Sequence, residues 1–222
     1  MKNKLLFVLF FFSFYTTNAQ VTFTCAAKNY TIPEFKDDSL EKNIWEQQFE
    51  KLGILRSIRS SNWDVELRCY YDLPSLSGSA IVVKGNENKI FAEIYRYRVQ
   101  NGDRDSVPPK GYNTIRKGGK NIYYSVKIVS VPDTLLKSLI EEKLFSCPDI
   151  TFVLDSLNKN GTKLQPSNTL DAYTVTFLVK VKSHIRRFSS TPFLSYANPL
   201  RKDLARYTQL FNSFDQLNNT RN

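Results

Sequence analysis

Hydrophobic and polar positions recur along this chain with two different periods. Between residues 38 and 52, Leu40, Ile44, Trp45, Phe49 and Leu52 follow one another at helical spacing. Asp38 stands at a capping position with Glu41 three residues on, and Gly53 marks the end. From Asp64 the period drops to two. Val65, Leu67, Cys69 and Tyr71 alternate with Asp64, Glu66, Arg68, Tyr70 and Asp72, as in a strand with one buried and one wet face. Residues 79–84 and 89–99 predict two more strands around Gly85-Asn86-Glu87-Asn88, a hairpin linker. Residues 121–131 predict another, stopped by Pro132. A second helix opens at Asp133 or Thr134, carries Leu136, Leu139, Ile140 and Leu144 on one side, and closes before Pro148. Residues 150–157 and 171–185 read as two further strands. Asn198 caps and Pro199 starts a third helix, with Leu200, Leu204, Tyr207, Phe211 and Phe214 as its stripe.

Strands in runs joined by short linkers predict an α+β domain, with a mainly antiparallel sheet of about six strands and three flanking helices. A subdivision near Val131 is open. One connection breaks the pattern. Residues 100–120 form a stretch of about twenty with little apolar content, where connections usually run to about six. Such a loop is either functional or mobile.

The first nineteen residues stand apart. Lys2 and Lys4 precede an apolar run from Leu5 to Tyr15, followed by a polar stretch with small residues up to Ala19. This is the order of a secretory signal peptide, and the run is too short for a stable membrane anchor. The expected product is an exported domain of residues 20–222, cleaved near Ala19, acting in the periplasm or outside the cell. Removing residues 1–19 takes two lysines and no acid, so the formal charge falls from +10 to +8. Cys25, Cys69 and Cys147 all remain. In an oxidising compartment three cysteines imply one disulfide and one free thiol. Cys69 falls on the apolar side of its strand, so Cys25 with Cys147 is the expected pair.

Two passages carry a resemblance. Residues 63–97, WDVELRCYYDLPSLSGSAIVVKGNENKIFAEIYRY, and the later helix, Asp171-Ala172-Tyr173 and Tyr196-Ala197-Asn198-Pro199 ending, resemble segments of uncharacterised exported α+β proteins of Gram-negative bacteria. In that group an Asp-Gly turn precedes the tyrosine strand, where this chain has Leu170-Asp171-Ala172. The resemblance implies a location outside the cytoplasm and a shared fold; it implies no activity.

Composition removes several chemistries. One His in 222 residues cannot furnish an HExxH site, a multi-His zinc site or a two-His iron site. That His184, placed by the alternation among Thr176, Lys180, Lys182 and Arg186, is a poor general base in so basic a setting. No GxSxG elbow, dinucleotide or phosphate loop, or EF-hand is present, so no cofactor is expected. Ser39 and Ser156 each open an SxxK pattern without the partner elements of penicillin-binding enzymes. Glu66 and Glu93 read as outward strand residues facing arginines. Four Asp-Ser or Asp-Thr pairs before an aliphatic residue, at Ser39, Ser106, Thr134 and Ser156, resemble acceptors of an O-glycosylation system for exported bacterial proteins.

The basic residues are the remaining lead. Arg96, Arg98, Arg116, Lys117 and Lys120, interleaved with tyrosines, and Lys180, Lys182 and Arg186 on a later strand are candidate anion-binding residues. If those strands are neighbours they give one positive face with aromatic rims, suited to an acidic polysaccharide or lipopolysaccharide rather than nucleic acid. Charge spread for solubility accounts for the same residues and is the plainer reading. The expected function is non-catalytic binding or interaction. The alternatives are a carboxylate-dependent hydrolase of an envelope glycan and a structural accessory of an envelope complex using the last helix.

Overall fold

The computed structural model describes residues 20–35, 44–72, 77–101, 107–159, 175–190 and 202–219. In chain order, β1 (Gln20–Cys25) and β2 (Lys28–Pro33) form a hairpin, and α1 (Ile44–Lys51) follows. Then come β3 (Val65–Asp72), β4 (Ser77–Gly85), β5 (Ile90–Asn101), β6 (Asn113–Lys117) and β7 (Lys120–Ser130). Next are α2 (Leu135–Glu141), α3 (Ile150–Lys159), β8 (Val175–Val181), β9 (His184–Ser190) and α4 (Lys202–Asn218). Strands β3 to β9 build one antiparallel sheet in the order β6-β7-β5-β4-β3-β8-β9. The α+β class follows the sequence patterning, with seven strands in the sheet where about six were expected.

Three segments differ from expectation, each for a local reason. Residues 150–157 are helical, as α3: Ile150, Val153, Leu154 and Leu157 recur at helical spacing, and the strand-like Phe152 is 71% exposed. Residues 171–185 do not form one strand. The chain reverses at Lys182-Ser183, where Lys182 takes a left-handed φ of 54° and its N–H donates to Asp64 O at 2.6 Å. The reversal moves His184 and Arg186 to the face of Val181 and Val179, opposite to the face expected. Within residues 100–120, β6 forms an edge strand and turns at Gly118 and Gly119, whose φ of 57° and 73° only glycine adopts cheaply. The caps expected at Asp38 and Asn198 lie outside the described residues.

One sheet face is apolar. Val65, Leu67 and Cys69 of β3, Ile81 and Val83 of β4, and Phe177 and Val179 of β8 pack against the β1–β2 hairpin, Leu135, Leu136 and Leu139 of α2, and Tyr207, Leu210 and Phe214 of α4. Phe177 stacks on Phe188 at 4.9 Å, and Tyr207 donates to Pro148 O at 2.6 Å.

The other face is covered too, which the alternation in β3 did not indicate. Glu66, Arg68 and Tyr70, read as wet, are 1%, 2% and 0% exposed beneath α1 and residues 54–63. A period of two separates two faces without saying that either is wet. Covering this face requires partners for its charges. Arg68 donates through Nε and Nη2 to Glu66 Oε1, both at 2.6 Å, and through Nη1 to Tyr70 at 3.1 Å. Burial works against the Arg68 cation, yet the Tyr70 hydroxyl and Glu66 carboxylate hold its pKa above the ordinary arginine value. Glu66 stands opposite Lys84 on one side and Lys180 on the other. Its Oε2 accepts from Ser61 Oγ, while Lys180 donates to Ser61 O, so two side chains of the sheet hold the covering segment. Lys84 and Tyr95 both donate to Glu93 Oε2, Lys84 at 2.6 Å. Arg187 of β9 pairs with buried Glu46 of α1 at 2.5 Å.

Arg68→Met strands a buried carboxylate and is expected to cost about 3–5 kcal/mol in urea unfolding. Glu66→Leu combined with Arg68→Met removes both charges and is expected to cost less than Arg68→Met alone. Equal or additive losses would contradict the coupling.

Between α2 and α4, burial raises the Glu142 carboxyl pKa despite the Ser138 and Ser213 hydroxyls beside it. A carboxyl whose pKa rises on folding binds protons more readily in the folded state. It therefore subtracts stability as pH climbs through the folded pKa, and this penalty is absent below the unfolded value of about 4.3. Glu142→Gln is expected to raise the melting temperature at pH 7 and to leave it unchanged near pH 3.

Candidate functional site

The sheet order separates the basic residues that the sequence grouped. β4 and β3 lie between β5 and β8, so the two runs do not form one face. Lys180 is 7% exposed, points to the charged face and donates to Ser61 O. Arg186 points to the opposite face and donates to Phe145 O at 3.2 Å and Cys147 O at 2.5 Å, fixing the turn that precedes α3. Lys117 donates to Lys51 O at the C-terminal end of α1, where the helix dipole favours a cation. Lys182 is exposed in the β8–β9 turn, and Lys120 opens β7. These five side chains are dispersed or spent on backbone carbonyls.

Arg96, Arg98 and Arg116 do share a face. Arg96 pairs with Ser79 and Ser125, Arg98 with Ser77 and Tyr123, and Arg116 with Asn121, all on the side that carries the apolar core. Arg96 and Arg98 stand exposed where the cover of α4 ends, and neither makes an ion pair among the described residues. There a cleft of about 520 Å³ opens, lined by Tyr71, Arg96, Arg98, Tyr112, Phe211 and Asp215 with the serines of β4. Phe211 meets Tyr71 edge-on at 5.5 Å, and Asp215 accepts from Asn218 at 3.0 Å. Beneath the mouth, the Tyr97 ring lies directly over Gly78, where a Cβ would come within 2.5 Å of it, and packs at 89° on Phe49. The glycine lets β4 and β5 stay paired at this point. Sequence reasoning found the two arginines among a run of basic residues interleaved with tyrosines. It assigned Tyr71 and Phe211 to core stripes, because nothing in a single sequence says where α4 stops covering the sheet.

The other singled-out residues fall elsewhere. His184 is half-buried against Phe35, ring centroids 6.0 Å apart. Thr134 and Ser156 are exposed; Ser39 and Ser106 lie outside the described residues. Among the described residues no cluster of His, Cys, Asp and Glu is arranged to hold a metal, and no helix is long and apolar enough to cross a membrane. No protein-family model matches the chain, and no curated protein or solved structure matches it either.

The cysteines depart from expectation. Cys25, Cys69 and Cys147 are three separate buried thiols, and the Cys25–Cys147 bridge is absent. Cys25 faces β4 at Gly85, whereas Cys147 sits beside Tyr207 and Arg186. Burial pushes the Cys25 thiol up to about 11 and raises Cys69 and Cys147 as well. Such thiols are protonated at neutral pH and shielded. A thiol titration is expected to detect none in the native protein and three after unfolding without reductant. Only one after unfolding would restore the bridge.

Proposed function

We propose that this is an exported, non-catalytic binding protein that takes acidic glycans of the cell envelope at the Arg96–Arg98 cleft. The observation that carries this reading is two exposed arginines on one strand face at the mouth of a cleft with aromatic walls. A guanidinium forks onto a carboxylate or phosphate, and aromatic rings supply apolar surface for the ring of a sugar. Asp215, Ser77 and Ser79 bring acceptors and hydroxyls for neutral sugar hydroxyls. The cleft volume of about 520 Å³ lies in the range of small-ligand sites. Export rests on residues 1–19, and it makes an envelope polymer a more accessible anion than nucleic acid. Glu66 and Glu93, the carboxylates a hydrolase would call upon, are each committed to cations of their own sheet face, which favours binding over hydrolysis.

Oligogalacturonate is a suitable probe. Titration calorimetry is expected to give binding that weakens as salt rises and falls about 100-fold or more in Arg96→Ala/Arg98→Ala, since each charge-assisted bond contributes about 1.5–3 kcal/mol. Affinity unchanged by the double substitution would overturn the assignment.

A further inference from the structure

We infer that the opposite sheet face holds a second, independent site: a cavity over the Glu66–Arg68 pair that binds a small oxyanion. The cavity measures about 330 Å³, with Glu66, Arg68, Lys84 and Tyr95 as its floor and Arg56, Ser57, Ser60, Ser61, Asn62 and Trp63 among its walls. Trp63 is held in place by Phe91 at 5.2 Å and by the Lys89 ammonium 5.4 Å above its ring.

The chemistry of the floor is donor-rich. Glu66 is already occupied, Oε1 by Arg68 and Oε2 by Ser61. Of the five N–H groups of the Arg68 guanidinium, three are used on Glu66 and Tyr70, and two remain. Lys84 uses one of its three ammonium donors on Glu93. With Glu93 paired to Lys84 just behind the lining, three cations, Arg56, Arg68 and Lys84, meet the two carboxylates of Glu66 and Glu93.

The hold on Ser61 accounts for the charges themselves but not for the open space beside them. A buried ion pair is no more stabilising than well-packed apolar side chains of the same volume, and a structural pair has no use for an open space above it. Here the pair is 1% and 2% exposed and still borders a cavity. Spare donors on the lining of a space of this size fit a carboxylate or a phosphate, delivered free or on a small polar body.

Calorimetry with inorganic phosphate, glucuronate and, as the neutral control, glucose tests this. Phosphate or glucuronate is expected to bind with one site per chain and glucose not to bind; the preferred probe identifies the oxyanion. Arg56→Ala, on the exposed rim where folding is not at stake, is expected to weaken binding about tenfold, and Arg68→Lys to weaken it further by removing the fork. Arg96→Ala/Arg98→Ala is expected to leave it unchanged. Absence of binding by both anions, equal binding of glucose, indifference to Arg56→Ala, or loss through Arg96→Ala/Arg98→Ala would each overturn the inference. The last result would place the anion in the aromatic cleft instead.

Discussion

The charged line Lys180–Glu66–Lys84, with Arg68 two residues along β3, lies across the middle of the sheet, buried at Lys180, Glu66 and Arg68 and half-buried at Lys84. Each ion removed from water costs several kcal/mol unless it is partnered and hydrogen-bonded. The layer above the sheet is therefore constrained to supply partners. Ser61 meets Glu66 with its hydroxyl and Lys180 with its carbonyl, and Glu46 of α1 meets Arg187. Phe49, Leu55 and Ile58 close the remainder against Tyr70, Val82 and Leu178. The covering segment is held by polar partners as well as by apolar contact.

The two faces of the sheet thus follow different rules. One is an aliphatic and aromatic core closed by α2, α4 and the β1–β2 hairpin; the other is a second apolar cluster crossed by paired charges. Among the described residues each face carries an opening. Beyond the end of α4 the apolar face exposes Arg96 and Arg98 beside Tyr71 and Phe211. Beneath residues 54–63 the charged face keeps a space above Arg68. Both openings are bordered by arginine on a paired strand.

Much of this order is legible in the residues. The alternation in β3 and the apolar runs of β4, β5 and β7 between turn residues give the strands, and the spacing of Leu136 and Leu139, or of Tyr207 and Phe214, gives the helices. What alternation does not encode is the cover. Glu66 and Arg68 look like solvated residues because charge commonly marks a wet face, and only the descent of a segment just before β3 reverses that. Two further errors arose where signals compete. The β-branched start of α3 obscured its helical spacing, and a turn of Lys182 and Ser183 lacks the glycine that usually announces a hairpin. The grouping of basic residues failed for a topological reason: adjacency in the sheet depends on strand order, and β4 and β3 lie between β5 and β8.

Native-state hydrogen exchange on Lys180→Met tests most directly whether sheet-borne charges hold the covering layer. The substitution removes the donor to Ser61 O while keeping an apolar stem in place. The expected result is that amides of residues 57–63 exchange about tenfold faster or more, while those of β3 and β8 keep their protection. Unchanged exchange in residues 57–63 would show that apolar packing alone seats the segment and would contradict the account.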